Sequence, residues 1–161
     1  MKILKDYTIN HRTVLLSGEN DCTRVIEGEN AFLVKMTPLE MINKSLLRNG
    51  TSLRGALRSS KFILGPMNLF PIKVSTSQGI FLFPLKSDKT MWFSLNHILS
   101  INSKGFQQTE VHLSFGHSLL LNVEAKMVTH KMYKAEELRK EIIKNSKGPL
   151  VFYLEGAKRN N

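Results

Sequence analysis

The sequence predicts an α+β fold of mostly antiparallel β-sheet, with two short basic helical segments over about 38–64 and one amphipathic helix over about 127–145. Three observations predict it. Short apolar and β-branched blocks alternate with turn residues over 3–36 and again over 69–123. A capping signature at Thr37 opens a stretch of helical period. Near the C-terminus Val128, Met132, Ala135, Leu138 and Ile142 repeat at helical spacing.

Taken in order, Val14–Leu16, Thr23–Ile26 and Ala31–Val34 read as short strands, punctuated at Ser17-Gly18 and Gly28-Glu29-Asn30. Thr37-Pro38-Leu39-Glu40 reads as a capping box with proline at the first helical position. The Thr37 hydroxyl is placed to accept from the Glu40 N–H, and Glu40 to reach back. Leu39, Ile42 and Leu46 then form an apolar stripe, with Lys44 and Arg48 on the opposite side and Asn49-Gly50 as a left-handed stop. A second helical segment spans about Thr51 to Leu64. Leu53, Ala56, Leu57 and Leu64 share one face, and Arg54, Arg58 and Lys61 make a basic stripe. Gly55 weakens this helix by about 1 kcal/mol relative to alanine, so a loop with one helical turn is the alternative. Gly65-Pro66 ends the segment.

Ile80–Phe83 is a continuous apolar run ended by Pro84, as expected of a buried strand. Met91–Leu95, Ile98–Ile101, Val111–Phe115 and Leu119–Val123 follow. Turns are expected at Ser87-Asp88, Ser103-Lys104-Gly105 and Phe115-Gly116-His117, the last short enough for a hairpin. Lys147-Gly148-Pro149 stops the final helix. The expected organisation is one α+β domain over 1–150 with 151–161 as a short tail.

The chain has 161 residues, 42% of them hydrophobic, enough for a core. One cysteine, Cys22, excludes a disulfide within the chain and a multi-cysteine zinc site. No apolar run approaches the ~20 residues of a membrane helix. Met1–Asn10, interrupted by Asp6, has no signal-peptide core. The expected location is the cytoplasm. G-x-S-x-G, G-x-G-x-x-G and Walker glycine motifs are missing from the sequence, and no carboxylate pair falls on one face away from a base. An enzyme, a cofactor and a bound metal are therefore not expected. His112 and His117 straddle the predicted hairpin, but two histidines alone make a poor metal site.

Charge is the informative quantity. The net charge is +10, and residues 35–65 carry six bases and one acid. Such a field attracts polyanions. Lys44, Arg48, Arg54, Arg58 and Lys61 have only Glu40 nearby in sequence. They are interleaved with Ser45, Asn49, Ser52, Ser59 and Ser60, residue types that contact phosphates. This is the candidate nucleic-acid site, weighed against an ordinary solvated helix face. A membrane surface is less well supported, because the segment's one aromatic is Phe62. The cations Lys131, Lys134, Arg139, Lys140 and Lys144 are interleaved with Glu136, Glu137 and Glu141 and read as a partly self-compensated, solvated face. Phe81 and Phe83 share one sheet face while Trp92 and Phe93 do not; core packing is favoured over a base-stacking platform. Val151–Leu154 reads as a last strand or a partner peptide.

The run Ala31–Leu39, followed by Asn49-Gly50-Thr51-Ser52 with Arg54-Gly55, resembles the ComK family of competence transcription factors. So do Gly79–Pro84, Trp92-Phe93 with His97, Thr109-Glu110-Val111, and Tyr133 to Leu138-Arg139. The resemblance runs from about Ala31 to Leu154 and points to a short member or paralogue. It implies an activator that binds double-stranded DNA at A/T-rich boxes through the minor groove, bends the duplex, and works as a dimer or tetramer. RNA polymerase and a proteolytic adaptor are the further partners it implies, with Phe152, Tyr153 and Leu154 at the adaptor-binding position. Arg and Lys side chains suit a narrow, negative A/T groove. Arg54 and Arg58 are expected to enter it, because small Gly55 and Ala56 beside them allow close approach. The other readings are a basic protein–protein interaction module, a non-activating paralogue that forms mixed oligomers, and an RNA-binding protein.

Overall fold

The computed structural model describes residues 1–146. Its strands are β1 (Ile3–Leu4), β2 (Thr13–Glu19), β3 (Cys22–Glu27), β4 (Asn30–Val34), β5 (Ile72–Ser75), β6 (Ile80–Lys86), β7 (Thr90–Ser94), β8 (Ile98–Gly105), β9 (Gln108–Leu113) and β10 (Ser118–Leu121). The helices are α1 (Pro38–Arg48), α2 (Leu53–Leu64) and α3 (Ala125–Ser146). The expected α+β class is the one observed. Seven strands form one sheet in the order β1-β4-β3-β2-β7-β6-β5, and β10-β9-β8 form a second. All pairs are antiparallel except β1 with β4, which run parallel.

The large sheet is covered on both faces, which explains its neighbouring apolar residues. Leu16, Val25, Leu82 and Trp92 join Met41, Ile42 and Leu46 of α1 on one side. Leu15, Ile26, Phe81, Phe83 and Phe93 join Val111 and Leu113 of β9 and Val128, Ala135 and Leu138 of α3 on the other. Phe81, Phe83, Trp92 and Phe93 are thus core residues, as alternation along a strand requires. Helix α2 sits beside β5, the edge strand, and serves both layers. Ala56, Leu53 and Leu57 pack with the α1 cluster, and Ile63 and Leu64 with the α3 cluster.

Several local expectations shift. Ser17 and Gly18 lie inside β2 rather than in a turn, and the chain reverses at Asn20-Asp21 with Asn20 at φ +57°. A Cβ at Gly18 would stand 3.5 Å from the Pro38 ring, an ordinary packing contact. Pro84 does not end β6. It pairs with Trp92 of β7, and β5 has run out at Ile72↔Leu82, so no β5 acceptor waits for the missing N–H. The Ser103–Gly105 turn moves to Phe106-Gln107, because the β8–β9 ladder continues to Gly105↔Gln108. In α1 the buried stripe is Met41, Ile42, Ser45 and Leu46, while Leu39 is exposed. The alternative of a loop over 51–64 is replaced by three full turns of helix.

The two histidines near the β9–β10 connection take separate partners. His112 Nε2 lies 3.0 Å from Glu110 Oε1, and His117 Nε2 bonds the Gly28 carbonyl at 2.8 Å. His97 Nε2 bonds the His11 carbonyl at 2.7 Å. His97 and His117 therefore tie the region of the small sheet to loops of the large one.

Candidate nucleic-acid interface

The site is built from α1, α2 and the N-terminal segment. Thr37 caps α1, its hydroxyl accepting from the Glu40 N–H at 3.2 Å. Only that half of the capping box forms; the Glu40 carboxylate accepts from the Thr37 hydroxyl instead of the Thr37 N–H. Gly50, at φ +83°, turns the chain out of α1. Ser52 then caps α2, its hydroxyl accepting from the Gly55 N–H at 3.1 Å. The Leu53 N–H donates to Asn43 Oδ1 at 2.9 Å and fixes α2 against α1.

These links divide the five predicted cations into two groups. At ~100° per residue, Asn43 and Lys44 stand on different flanks of α1. Asn43 turns to α2, and Lys44 turns to residues 6–8. There Asp6 gathers both α1 cations: Oδ1 lies 3.2 Å from Lys44 Nζ and Oδ2 lies 3.0 Å from Arg48 Nη2. Arg48 also donates to the Thr8 hydroxyl. The Lys44 hydrogen bond, with help from Tyr7 N–H and Arg48, holds the Asp6 carboxyl below its ordinary pKa despite opposing desolvation. Sequence reasoning missed Asp6 because it lies 42 residues before Arg48.

Arg54, Arg58 and Lys61 present a different environment. All three are exposed along one face of α2. Among the described residues no carboxylate lies within 4.0 Å of any of them. Their charge therefore faces solvent uncompensated. Four of the five interleaved polar residues are occupied structurally. Ser45 accepts from the Ile9 N–H, Ser52 caps α2, and Asn49 bonds the Ser45 carbonyl. Ser60 is buried, its hydroxyl reaching the Pro71 carbonyl at 2.5 Å and the Ala56 carbonyl at 3.0 Å. Ser59 alone of the five is exposed beside the stripe without such a bond.

The expected self-compensation of the α3 face is only partial: Lys126, Lys140 and Lys144 are exposed, and among the described residues no carboxylate lies within 4.0 Å of them. Lys134 pairs with Glu137 at 3.5 Å, and Arg139 donates to Asn96 Oδ1 at 2.8 Å. Lys131 donates to the carbonyls of Asn68 and Leu69, and burial lowers its pKa. Among the described residues no group of three or more His, Cys, Asp or Glu is placed to hold a metal ion, and no helix is long and apolar enough to cross a membrane. Phe152, Tyr153 and Leu154 lie outside the described residues.

The geometry leaves the basic face of α2 uncompensated on a two-sheet scaffold, and comparison with known proteins gives that scaffold a family. The profile described as ComK protein matches residues 4–147. The chain belongs to the ComK family. A relative within reach of this ComK-family chain is the competence transcription factor of Bacillus subtilis (strain 168), 29% identical over 143 residues. The alignment covers 84% of this chain and 74% of that protein. No solved structure matches this ComK-family chain. The match includes α1, α2 and the N-terminal segment that carries Asp6, so the whole basic region lies within the family's shared sequence.

Proposed function

We propose that this ComK-family protein is a regulator of competence transcription that docks the exposed face of α2 on double-stranded DNA. The observation that carries this reading is the stripe Arg54, Arg58 and Lys61, three cations on one helix face with no carboxylate within 4.0 Å among the described residues. Phosphates supply the missing counter-charge, and each neutralised phosphate releases counterions. Arg54 and Arg58 reach into a narrow A/T minor groove, where the negative potential is enhanced. Lys61 contacts the backbone, and Lys44 and Arg48 add the one charge that Asp6 leaves uncancelled. The protein acts in the cytoplasm as a dimer or tetramer. Contact with RNA polymerase, and adaptor recognition through Phe152, Tyr153 and Leu154, extend the same reading by family likeness.

One observation favours a second mode of docking. A helix with its side chains is about 10–12 Å across. That fits a major groove of about 12 Å and exceeds a minor groove of about 6 Å. The test is anisotropy binding to an A/T-box duplex and a G/C-rich duplex of equal length, across salt, with a minor-groove-binding drug as competitor. The expected result is A/T preference that survives physiological salt and is erased by the drug. Arg54→Ala or Arg58→Ala then costs roughly 1–3 kcal/mol on the A/T site, and Lys44→Ala weakens all sequences alike. Preference unaffected by the drug assigns the major groove instead. Equal, weak binding that vanishes with salt defeats the reading.

A further inference from the structure

Two phenylalanines stand almost wholly in solvent: Phe62 is 91% and Phe106 is 86% exposed. A lone exposed apolar residue needs no explanation. Phe62 is distinguished by its neighbours. It lies one turn beyond Arg58 and directly follows Lys61, so the phenyl ring borders the uncompensated basic stripe of α2. Phe106 has no such company. It sits at the tip of the β8–β9 hairpin, where the nearby cation Lys104 is paired with Glu110 at 3.5 Å.

We infer that Phe62 is an apolar wedge that inserts between base pairs of the duplex held by Arg54, Arg58 and Lys61, unstacking one base step; the inference rests on the proposed DNA binding. Three features of the site support it. The cations hold phosphates against the face from which the ring projects, so charge selects a nucleic acid as the occupant. The ring's other flank carries carboxylates rather than cations: Phe62 and Ile63 line an open groove with Glu141, Asn145 and Glu137 of α3, the last paired with Lys134 at 3.5 Å. The groove beside the ring offers phosphates no cation in its lining, whereas the stripe on the other side does, so the duplex edge comes to rest at the ring. The third feature is width. A helix of about 10–12 Å does not enter a minor groove of about 6 Å unless the groove opens. A wedge that unstacks a step kinks the duplex toward the major groove and supplies that opening.

The wedge carries nothing in the protein's own packing, so Phe62→Ala leaves the fold intact and thermal unfolding unshifted. The experiment uses the full chain and an A/T-box duplex carrying 2-aminopurine at successive steps, with end-labels for energy transfer. Wild type raises 2-aminopurine fluorescence at one step and shortens the end-to-end distance. Phe62→Ala keeps the preference for A/T over G/C, loses both signals, and binds roughly tenfold more weakly, the scale of one lost base–aromatic contact. Phe62→Leu retains the signals because it remains an apolar wedge. Phe106→Ala behaves as wild type. The inference is overturned if Phe62→Ala unstacks and bends the duplex as wild type does. It is overturned equally if the variant changes only the sedimentation of the free protein, which would make Phe62 a contact between copies. Loss of A/T preference in Arg54→Ala with an unchanged 2-aminopurine signal in Phe62→Ala defeats the wedge alone. Failure of wild type to bind duplex defeats the wedge together with the reading beneath it.

Discussion

At the scale of single residues, Asp6 decides which cations are free. It faces Lys44 and Arg48 together, so two positive charges share one carboxylate. The pair is surface-exposed and its contribution to stability is small. Its effect on the field is larger. The Asp6 carboxyl sits below its ordinary 3.8, chiefly through the Lys44 hydrogen bond. A carboxyl lowered on folding contributes stability that is present above the unfolded pKa and lost as pH falls through the lower folded value. At neutral pH the cap on Lys44 and Arg48 is therefore in place. Asp6→Asn is expected to strengthen binding to A/T and G/C duplexes alike, and to steepen the salt dependence by roughly one phosphate contact. Salt-titrated anisotropy checks this; tighter binding confined to A/T sites would contradict it. The sequence showed the two cations but not their partner, because an ion pair between residues 6 and 48 leaves no trace in local spacing.

The candidate interface is held at the scale of the element by α2. Its basic stripe was legible because i, i+4 and i+7 positions share a helix face whatever packs behind them. The sequence alone leaves a loop as the alternative, since Gly55 argues against a helix and the stabilising contacts are tertiary. The structure supplies them: the Ser52 cap, the Asn43 bond to Leu53 N–H, and Gly65 at φ +76° as the stop. Ser60 completes the set by bonding the Pro71 carbonyl, which anchors the middle of the helix to the segment entering β5. Ser52 and Ser60 are of a residue type that contacts phosphates, but both are instead supports of the helix. Ser52→Ala is expected to cost about 1 kcal/mol as a lost N-cap. Ser60→Ala, which strands a buried carbonyl, is expected to cost about 1–3 kcal/mol. Urea unfolding measures both, and two unshifted midpoints would show that α2 does not depend on these bonds. In α1 the same limit appears in another form. Leu39 fits the apolar period yet is exposed, while Met41 is buried in the core and Ser45 is buried against the Ile9 N–H.

At the scale of the whole molecule, the sheet-rich α+β class and the C-terminal helix were legible from period alone. Continuous apolar runs such as Ile80–Phe83 announced strands buried on both faces, and the sheet is covered by α1 on one side and by α3 with the small sheet on the other. The strand order was not legible. The pairing of β2 with β7 joins segments about 75 residues apart, at Leu16↔Trp92, and is fixed by layer packing rather than by any turn. This architecture places α2 at the β5 edge with its basic face turned outward, and α3 beside it with Lys131, Lys134 and Arg139 engaged and Lys126, Lys140 and Lys144 exposed. If α2 is the DNA-docking face proposed above, position more than total charge governs affinity. One measurement tests this most directly. Two full-length triple variants remove equal charge: Arg54, Arg58 and Lys61 to Ala on α2, or the exposed Lys126, Lys140 and Lys144 to Ala on α3. Affinity for an A/T-box duplex is measured for each at physiological salt. The account predicts that the α2 variant loses most of its affinity and all A/T preference, while the α3 variant keeps its preference and weakens only slightly. Equal losses in the two variants would contradict it.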